Sequence, residues 1–289
     1  MSATVFHDAR CHLGEGPTYD PATDTAWWFD ILERRLFEAR AGAVRVHALP
    51  VMASALAVVD DRHLLISAED GLHLRDRVDG RMRRVHPNPP GPARQRSNDG
   101  RAHPSGTFWF STLALDKRPG AAAIHALHRG RVRTLFPGLT IPNAICFAPD
   151  GATGYFADTA AGALHRVPLD PATGLPSGPP VAIHRHEGGG GLDGAVTDAD
   201  GLLWIARWGG GRIDAFTAGG EPVRSVAVPA RQASCPVFVG RQLDRLLVTS
   251  ATEGLDEAAR AADPHGGKTF LVDPGTRGRP EPRVRLDAA

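Results

Sequence analysis

The sequence predicts an all-β chain, a six-bladed β-propeller with four-stranded blades around a central channel, and three observations lead there. The first is punctuation. The 33 glycines and 24 prolines among 289 residues are spread along the chain, as many short strands require and a helical bundle does not. The second is a strand core that keeps returning: Trp27-Trp28-Phe29-Asp30, Leu64-Leu65-Ile66-Ser67, Phe108-Trp109-Phe110-Ser111, Tyr155-Phe156-Ala157-Asp158, Leu203-Trp204-Ile205-Ala206 and Leu246-Leu247-Val248-Thr249. The third is its period. Starts at 27, 64, 108, 155, 203 and 246 lie 37, 44, 47, 48 and 43 residues apart. Units of roughly 40–50 residues, each of four short strands, have the spacing of propeller blades.

Each element has its own local justification. Most copies follow a turn: Asp20-Pro21-Ala22-Thr23-Asp24, Asp60-Asp61, His103-Pro104-Ser105-Gly106, Pro149-Asp150-Gly151 and Asp198-Ala199-Asp200-Gly201. Each precedes a second strand-like run, such as Gly71-Leu72-His73-Leu74 or Gly162-Ala163-Leu164-His165-Arg166-Val167. One four-stranded sheet cannot bury both faces alone, so neighbouring blades stack and share a core. Two separate sandwiches would not explain one period across the whole chain, so a single domain over 1–289 is expected. Closure is expected from Thr4-Val5-Phe6 pairing with Lys268-Thr269-Phe270-Leu271-Val272, because an unpaired edge is a liability.

Composition excludes several classes of partner. Lys+Arg 33 against Asp+Glu 32 leaves a formal charge of +1, which argues against nucleic acid or an anionic membrane held by charge. No run of 18 apolar residues occurs, so no membrane span is expected. Cys11, Cys146 and Cys235 are odd in number, far apart and outside any CxxC pattern, which argues against a disulfide framework and for a reducing compartment, and the apolar strand contexts of Cys146 and Cys235 mark those two as small core residues. Met1 to Arg10 lacks the basic and then apolar pattern of a signal peptide. The expected setting is the cytoplasm, and the expected assembly a monomer or weak homo-oligomer.

The repeat also locates the chemistry. Counting back from each strand core reaches Glu15 (12 before Trp27), Asn98 (10 before Phe108), Asn143 (12 before Tyr155) and Asp193 (10 before Leu203), with Ser54 and Ser234 near the other two equivalents. In a propeller the innermost strands start at one mouth of the channel, so these positions are expected to converge as two carboxylates and two amides. Hard oxygen donors around one point suit a divalent cation such as Ca²⁺ or Mg²⁺. Carboxylates left unpaired there would be costly, and a cation offsets that cost. Taken singly, each of these residues also reads as a turn position where Asn and Asp cap backbone groups.

At these residues the sequence resembles the SMP-30/gluconolactonase/regucalcin family of sugar-lactone hydrolases. The resemblance rests on Leu13-Gly14-Glu15-Gly16-Pro17, Arg96-Ser97-Asn98-Asp99-Gly100, Pro142-Asn143-Ala144, Leu192-Asp193-Gly194 and Gly209-Gly210-Gly211-Arg212, taken in order, and weakens after about Glu253. It implies a six-bladed propeller, and one divalent cation (Ca²⁺, Zn²⁺, Mn²⁺, Mg²⁺ or Fe²⁺) held by Glu15, Asn143 and Asp193. It further implies substrate contacts from Arg96, Asn98 and Asp99, and a small sugar lactone as substrate. Asp193 or Glu15 would serve as general base beside the cation, and the family pattern favours Asp193. Several members carry an acidic residue after the Asn-Asp-Gly motif that reaches sugar hydroxyls; here Pro119-Gly120-Ala121-Ala122-Ala123-Ile124 has none.

Other features read more plainly. His184-x-His186 lacks a third ligand at a telling spacing and reads as an exposed loop, and Arg81-Met82-Arg83-Arg84 as a solvated blade edge. The tetraglycine run Gly188 to Gly191 is expected to leave one side of the mouth wider or more mobile, and Trp208 is either a wall of that mouth or core. No Gly-x-Ser-x-Gly elbow is present, against a serine hydrolase. Two other functions stay open: a non-catalytic metal-binding propeller scaffold, and another metal-dependent ester or phosphoester hydrolase.

Overall fold

A computed structural model describes residues 3–286. A short strand, β1 (Thr4–His7), comes first. The first sheet is β2 (Gly14–Asp20), β3 (Thr25–Asp30), β4 (Arg35–Arg40) and β5 (Ala43–Ala48), and the second is β6 (Ala53–Val58), β7 (His63–Ala68), β8 (Gly71–Asp76) and β9 (Met82–Pro87). The third is β10 (Gln95–Ala102), β11 (Phe108–Ala114), β12 (Ala122–His128) and β13 (Arg131–Leu139). The fourth holds β14 (Pro142–Phe147), β15 (Thr153–Asp158), β16 (Ala163–Asp170), β17 (Leu175–Pro176) and β18 (Val181–Arg185). The fifth is β19 (Gly191–Thr197), β20 (Leu203–Trp208), β21 (Arg212–Phe216) and β22 (Pro222–Ala227). The sixth joins β23 (Ala233–Val239), β24 (Arg245–Ser250) and β25 (Thr269–Val272) to β1. Every pairing is antiparallel, and the fold class is the six-bladed β-propeller that the repeat predicts.

The six recurring cores are the second strands of the six sheets. Side chains of the turns before them bend the chain back. Asp20 Oδ1 accepts from Ala22 N at 3.1 Å, Asp150 Oδ1 from Ala152 N at 2.9 Å and Asp198 Oδ1 from Asp200 N at 3.0 Å. The third sheet has no aspartate there, and the His103 ring takes its place, with Nδ1 accepting from Ser105 N at 3.0 Å. Burial falls outward along each sheet. β3 is buried at every residue, whereas the fourth strand, β5, is mostly exposed or half-buried. A strand covered on both faces has no polar side to show, which is why the second strands read as unbroken apolar runs.

One expectation needs correction, since the fourth sheet has five strands rather than four. β16 runs long enough to pair with β18 along one stretch and with β17 at its end, where Leu169 faces Pro176. Asp170 turns the chain between β16 and β17, accepting from Ala172 N at 2.9 Å and from Thr173 Oγ1 at 3.1 Å. The expected closure is present, with Thr4 opposite Leu271 and Val5 opposite Phe270.

The chain divides into two compact units, one of Met1–Pro50 with His186–Pro280 and the other of Val51–Arg185 with Glu281–Ala289. The first contains sheets one, five and six around a core that includes Trp28, Phe37, Trp204, Phe238 and Phe270. Trp28 lies flat on Phe37 at 5.0 Å. The second contains sheets two, three and four, with one core around Phe108, Phe110 and Val284 and another around Trp109, Phe147 and Phe156. Each fully buried side chain of this size contributes about 1.5–3 kcal/mol. The three cysteines are free and buried, Cys146 and Cys235 in the core as expected.

His125 on β12 makes this core sensitive to acid. It is 3% exposed, between the hydroxyls of Thr112 and Thr134, each 3.1 Å away. Burial lowers its pKa from 6.5 to about 4, and burial lowers that of His103 in the same direction. Between those values the unfolded chain binds a proton that the folded chain refuses. Stability is therefore full above the unfolded value and falls as pH drops toward the folded one. The thermal midpoint should decline from pH 6.5 to about 4, and His125→Gln should make that decline shallower, as read by calorimetry across the window.

Candidate active site

The first strand of every sheet shares one irregularity. Pairing with the second strand slips between Glu15 and Thr18, Ala53 and Ala55, Ser97 and Gly100, Asn143 and Cys146, Leu192 and Ala195, and Ala233 and Pro236. A bulge bends its strand and re-aims a side chain. All six polar residues reached by counting back stand at these slips: Glu15, Ser54, Asn98, Asn143, Asp193 and Ser234. The residues after Glu15 and Asn143 are left-handed, Gly16 at φ 55 and Ala144 at φ 54. Glycine adopts that conformation freely, whereas Ala144 is held in it by complete burial.

In the second unit three of the expected residues meet. Arg96, 5% exposed, donates from Nη1 to Ser97 O and to Asn98 Oδ1, both at 2.8 Å. Asn98 Nδ2 donates to Pro142 O at 2.9 Å and to Asn143 Oδ1 at 2.8 Å. Asn143 Nδ2 in turn donates to Thr159 Oγ1 at 2.9 Å. Asp99 faces the backbone: its Oδ1 accepts from Gly100 N and its Oδ2 from Ile145 N, each at 2.7 Å. Burial pushes its pKa up, against the pull of nearby Arg101.

Glu15 and Asp193 belong to the first unit, at the bulges of β2 and β19: Glu15 is the last residue paired before its slip, and Asp193 the first beyond its own. Glu15 Oε2 accepts from Gly16 N at 2.9 Å. Asp193 is 5% exposed. β23 packs beside both strands. Its Ser234 donates to Gly14 O, and a Cβ on Gly194 would lie 2.3 Å from Cys235 Sγ. The histidine pair splits between strand and loop: His184 pairs with Leu164 inside the fourth sheet, while His186 lies against Arg207 Nη2 at 2.6 Å. That guanidinium, 2% exposed on β20, also donates to Gly190 O at 3.1 Å and so braces the glycine run before Asp193.

Among the described residues no three His, Cys, Asp or Glu side chains come together as a ligand group. A cation site here would need another donor type, and Asn143 supplies an amide oxygen. Sequence reasoning passed over Thr159; the Asp-x step that ends β15 is the signal that could have found it.

The SMP-30/Gluconolactonase/LRE-like region family matches residues 13–252. The chain belongs to that family. A protein provisionally named a sugar lactone lactonase, from Rhizobium meliloti (strain 1021), is 48% identical over 99% of this chain and 98% of its own. The L-arabinolactonase of Azospirillum brasilense is 33% identical over 93% of this chain and 91% of its own. A solved structure described as a calcium-binding protein, regucalcin, from Agrobacterium tumefaciens strain C58 has a TM-score of 0.94 at 46% identity, covering 99% of this chain and 98% of the other.

The close approach at Gly194 gives a test of the bulge itself. Gly194→Ala places a methyl against Cys235, which β23 cannot vacate without losing its pairing. The expected cost is about 1–3 kcal/mol in urea unfolding, with no change in slope.

Proposed function

We propose that this chain hydrolyses a small sugar lactone to its aldonic acid with one divalent cation held by Glu15, Asn143 and Asp193. The chain is a hydrolase of ester bonds of the lactonase class, as its relatives are named. One observation carries the finer reading: the three oxygen donors stand at the bulges of three first strands, Glu15 and Asn143 as the last residue paired before the slip and Asp193 as the first beyond it, where the bent backbone re-aims side chains. Two carboxylates and an amide oxygen form the hard donor set that a cation such as Ca²⁺, Mg²⁺ or Mn²⁺ prefers. Asn143 fits that role, because its Nδ2 is committed to Thr159 and an amide oxygen has two lone pairs, of which Asn98 uses one.

When bound, the cation supplies positive charge to stabilise the carbonyl oxygen as it becomes negative. Asp193 accepts a proton from the attacking water, whose oxygen forms the new bond to the carbonyl carbon. The ring C–O bond then breaks, and the proton passes to the departing alkoxide, so that lactone plus water gives one hydroxy acid. Arg96 and Asn98 hold the substrate, with the Arg96 fork already oriented by its bonds to Ser97 O and Asn98. Asp99 supports them by fastening β10 to the bulge of β14. The buried free cysteines support the cytoplasm as the proposed location.

Asp193→Ala should abolish lactone hydrolysis and sharply weaken divalent-cation binding in calorimetry while far-UV circular dichroism stays unchanged. Arg96→Ala should instead lower kcat/KM and leave cation affinity near that of the wild type. A wild-type protein that takes up no divalent cation would sink the cation reading.

Specificity follows from the stretch before β12, where Ala121 and Ala122 are buried and no carboxylate is present to pair with sugar hydroxyls. A site built around such a carboxylate rejects analogues lacking the hydroxyl by about 10⁴-fold. Here kcat/KM for a hexonolactone, a pentonolactone and an unsubstituted lactone of equal ring size should stay within about 10²-fold.

A further inference from the structure

The first and fourth sheets match residue for residue around the bulge. Gly14 faces Asp30 and Glu15 faces Phe29 in the first; Pro142 faces Asp158 and Asn143 faces Ala157 in the fourth. The aspartates that end the two second strands make the same bonds. Asp30 accepts from His12 N at 2.9 Å and Leu13 N at 3.1 Å, and Asp158 from Thr140 N at 2.9 Å and Ile141 N at 3.0 Å. The next amide then returns to the chain before the first strand: Ile31 N to Leu13 O at 3.0 Å, and Thr159 N to Ile141 O at 2.9 Å.

With the backbone so alike, the side chains are what differ. Beside Glu15 stands Ile31, fully buried, and beside Asn143 stands Thr159. A carboxylate has no N–H to satisfy, whereas the carboxamide of Asn143 has two, on a residue only 5% exposed. Its Nδ2 donates to Thr159 Oγ1 at 2.9 Å. The third sheet supplies a control. There Ser97 stands in the place of Asn143 and Ala114 in that of Thr159, so carboxamide and hydroxyl are absent together, and the Nδ2 of Asn98, one residue on, donates to Pro142 O and Asn143 Oδ1. A hydroxyl stands at this position where the neighbouring carboxamide nitrogen turns to it.

We propose that Thr159 is a positioning residue that holds the Asn143 carboxamide by its nitrogen, so that its oxygen is presented as a cation ligand; this rests on the cation site proposed above. Asn98 sets which end of the amide faces which way, because its own Nδ2 can only donate. Thr159 sets the plane. Without its hydroxyl the nitrogen loses its acceptor inside the fold, and the carboxamide must swing to find another. Outer partners of this kind change metal affinity by about 10–100-fold.

The test uses the full chain stripped of metal, with Thr159→Val, which keeps the shape and removes the hydroxyl, and Thr159→Ser, which keeps the hydroxyl. Calorimetric titration with Ca²⁺, and then Mn²⁺, should show Thr159→Val binding about 10–100-fold more weakly and Thr159→Ser close to the wild type. In the metal-free protein, the side-chain amide protons of Asn143 should shift and exchange faster in Thr159→Val alone, by NMR. Should the valine variant not fold, Thr159→Ala removes the same hydroxyl with less bulk. Wild-type cation binding matched by an equal affinity in Thr159→Val, with the Asn143 amide signals unmoved, would overturn the role of Thr159 and leave the cation site standing. A wild type that binds neither cation would overturn the site itself.

Discussion

Where the first strand of each sheet slips against the second, ladder hydrogen bonds stop, and the buried amides and carbonyls released there need other partners. Side chains of the same segment take over much of that work. Gly16 N finds Glu15, Gly100 N finds Asp99, Ile145 N finds Asp99 from the neighbouring sheet, and Asp99 N finds the hydroxyl of Ser111. The polar residues at the bulges therefore answer to the backbone before they answer to any ligand. An apolar residue at Asp99 would strand the buried amide of Ile145, at about 1–3 kcal/mol, and release the half-buried amide of Gly100.

That obligation leaves room for variety, because a bulge can be completed by a small hydroxyl as well as by a carboxylate. Ser54 donates to Ser97, and Ser234 to Gly14 O, which closes those two positions locally. Glu15, Asn98, Asn143 and Asp193 stand at the other four bulges with longer, more polar groups. The same backbone device thus serves packing in some sheets and chemistry in others. A fold supplies positions, and the side chains placed on them decide the reaction.

How much of this was legible in the sequence depends on the kind of contact. The period showed because second strands such as Thr25–Asp30 are buried on both faces and stay apolar throughout. Outer strands such as Val181–Arg185 carry half-exposed, mixed residues and leave little trace, and the two-residue β17 leaves almost none, so the extra strand of the fourth sheet went unseen. Bulge residues could be found by counting because every sheet places a polar residue 10 or 12 positions before its core. The bonds of Asp99 to Ile145 and of Asn143 to Thr159 were not legible. They join residues 46 and 16 apart, across a kink that has no composition of its own.

The pairing of β1 with β25 joins residues more than 260 positions apart. Loop-closure entropy must be met before such a contact returns anything, so this sheet is an inherently late event in folding. During synthesis, β1 emerges well before Thr269–Val272 and has no partner until that strand follows. Until then Val5 and Phe6, already more than a third exposed in the finished fold, belong to an unmatched strand. The other sheets draw on contiguous stretches of chain and can assemble as they emerge; the sixth waits until more than 260 further residues have followed its outer strand.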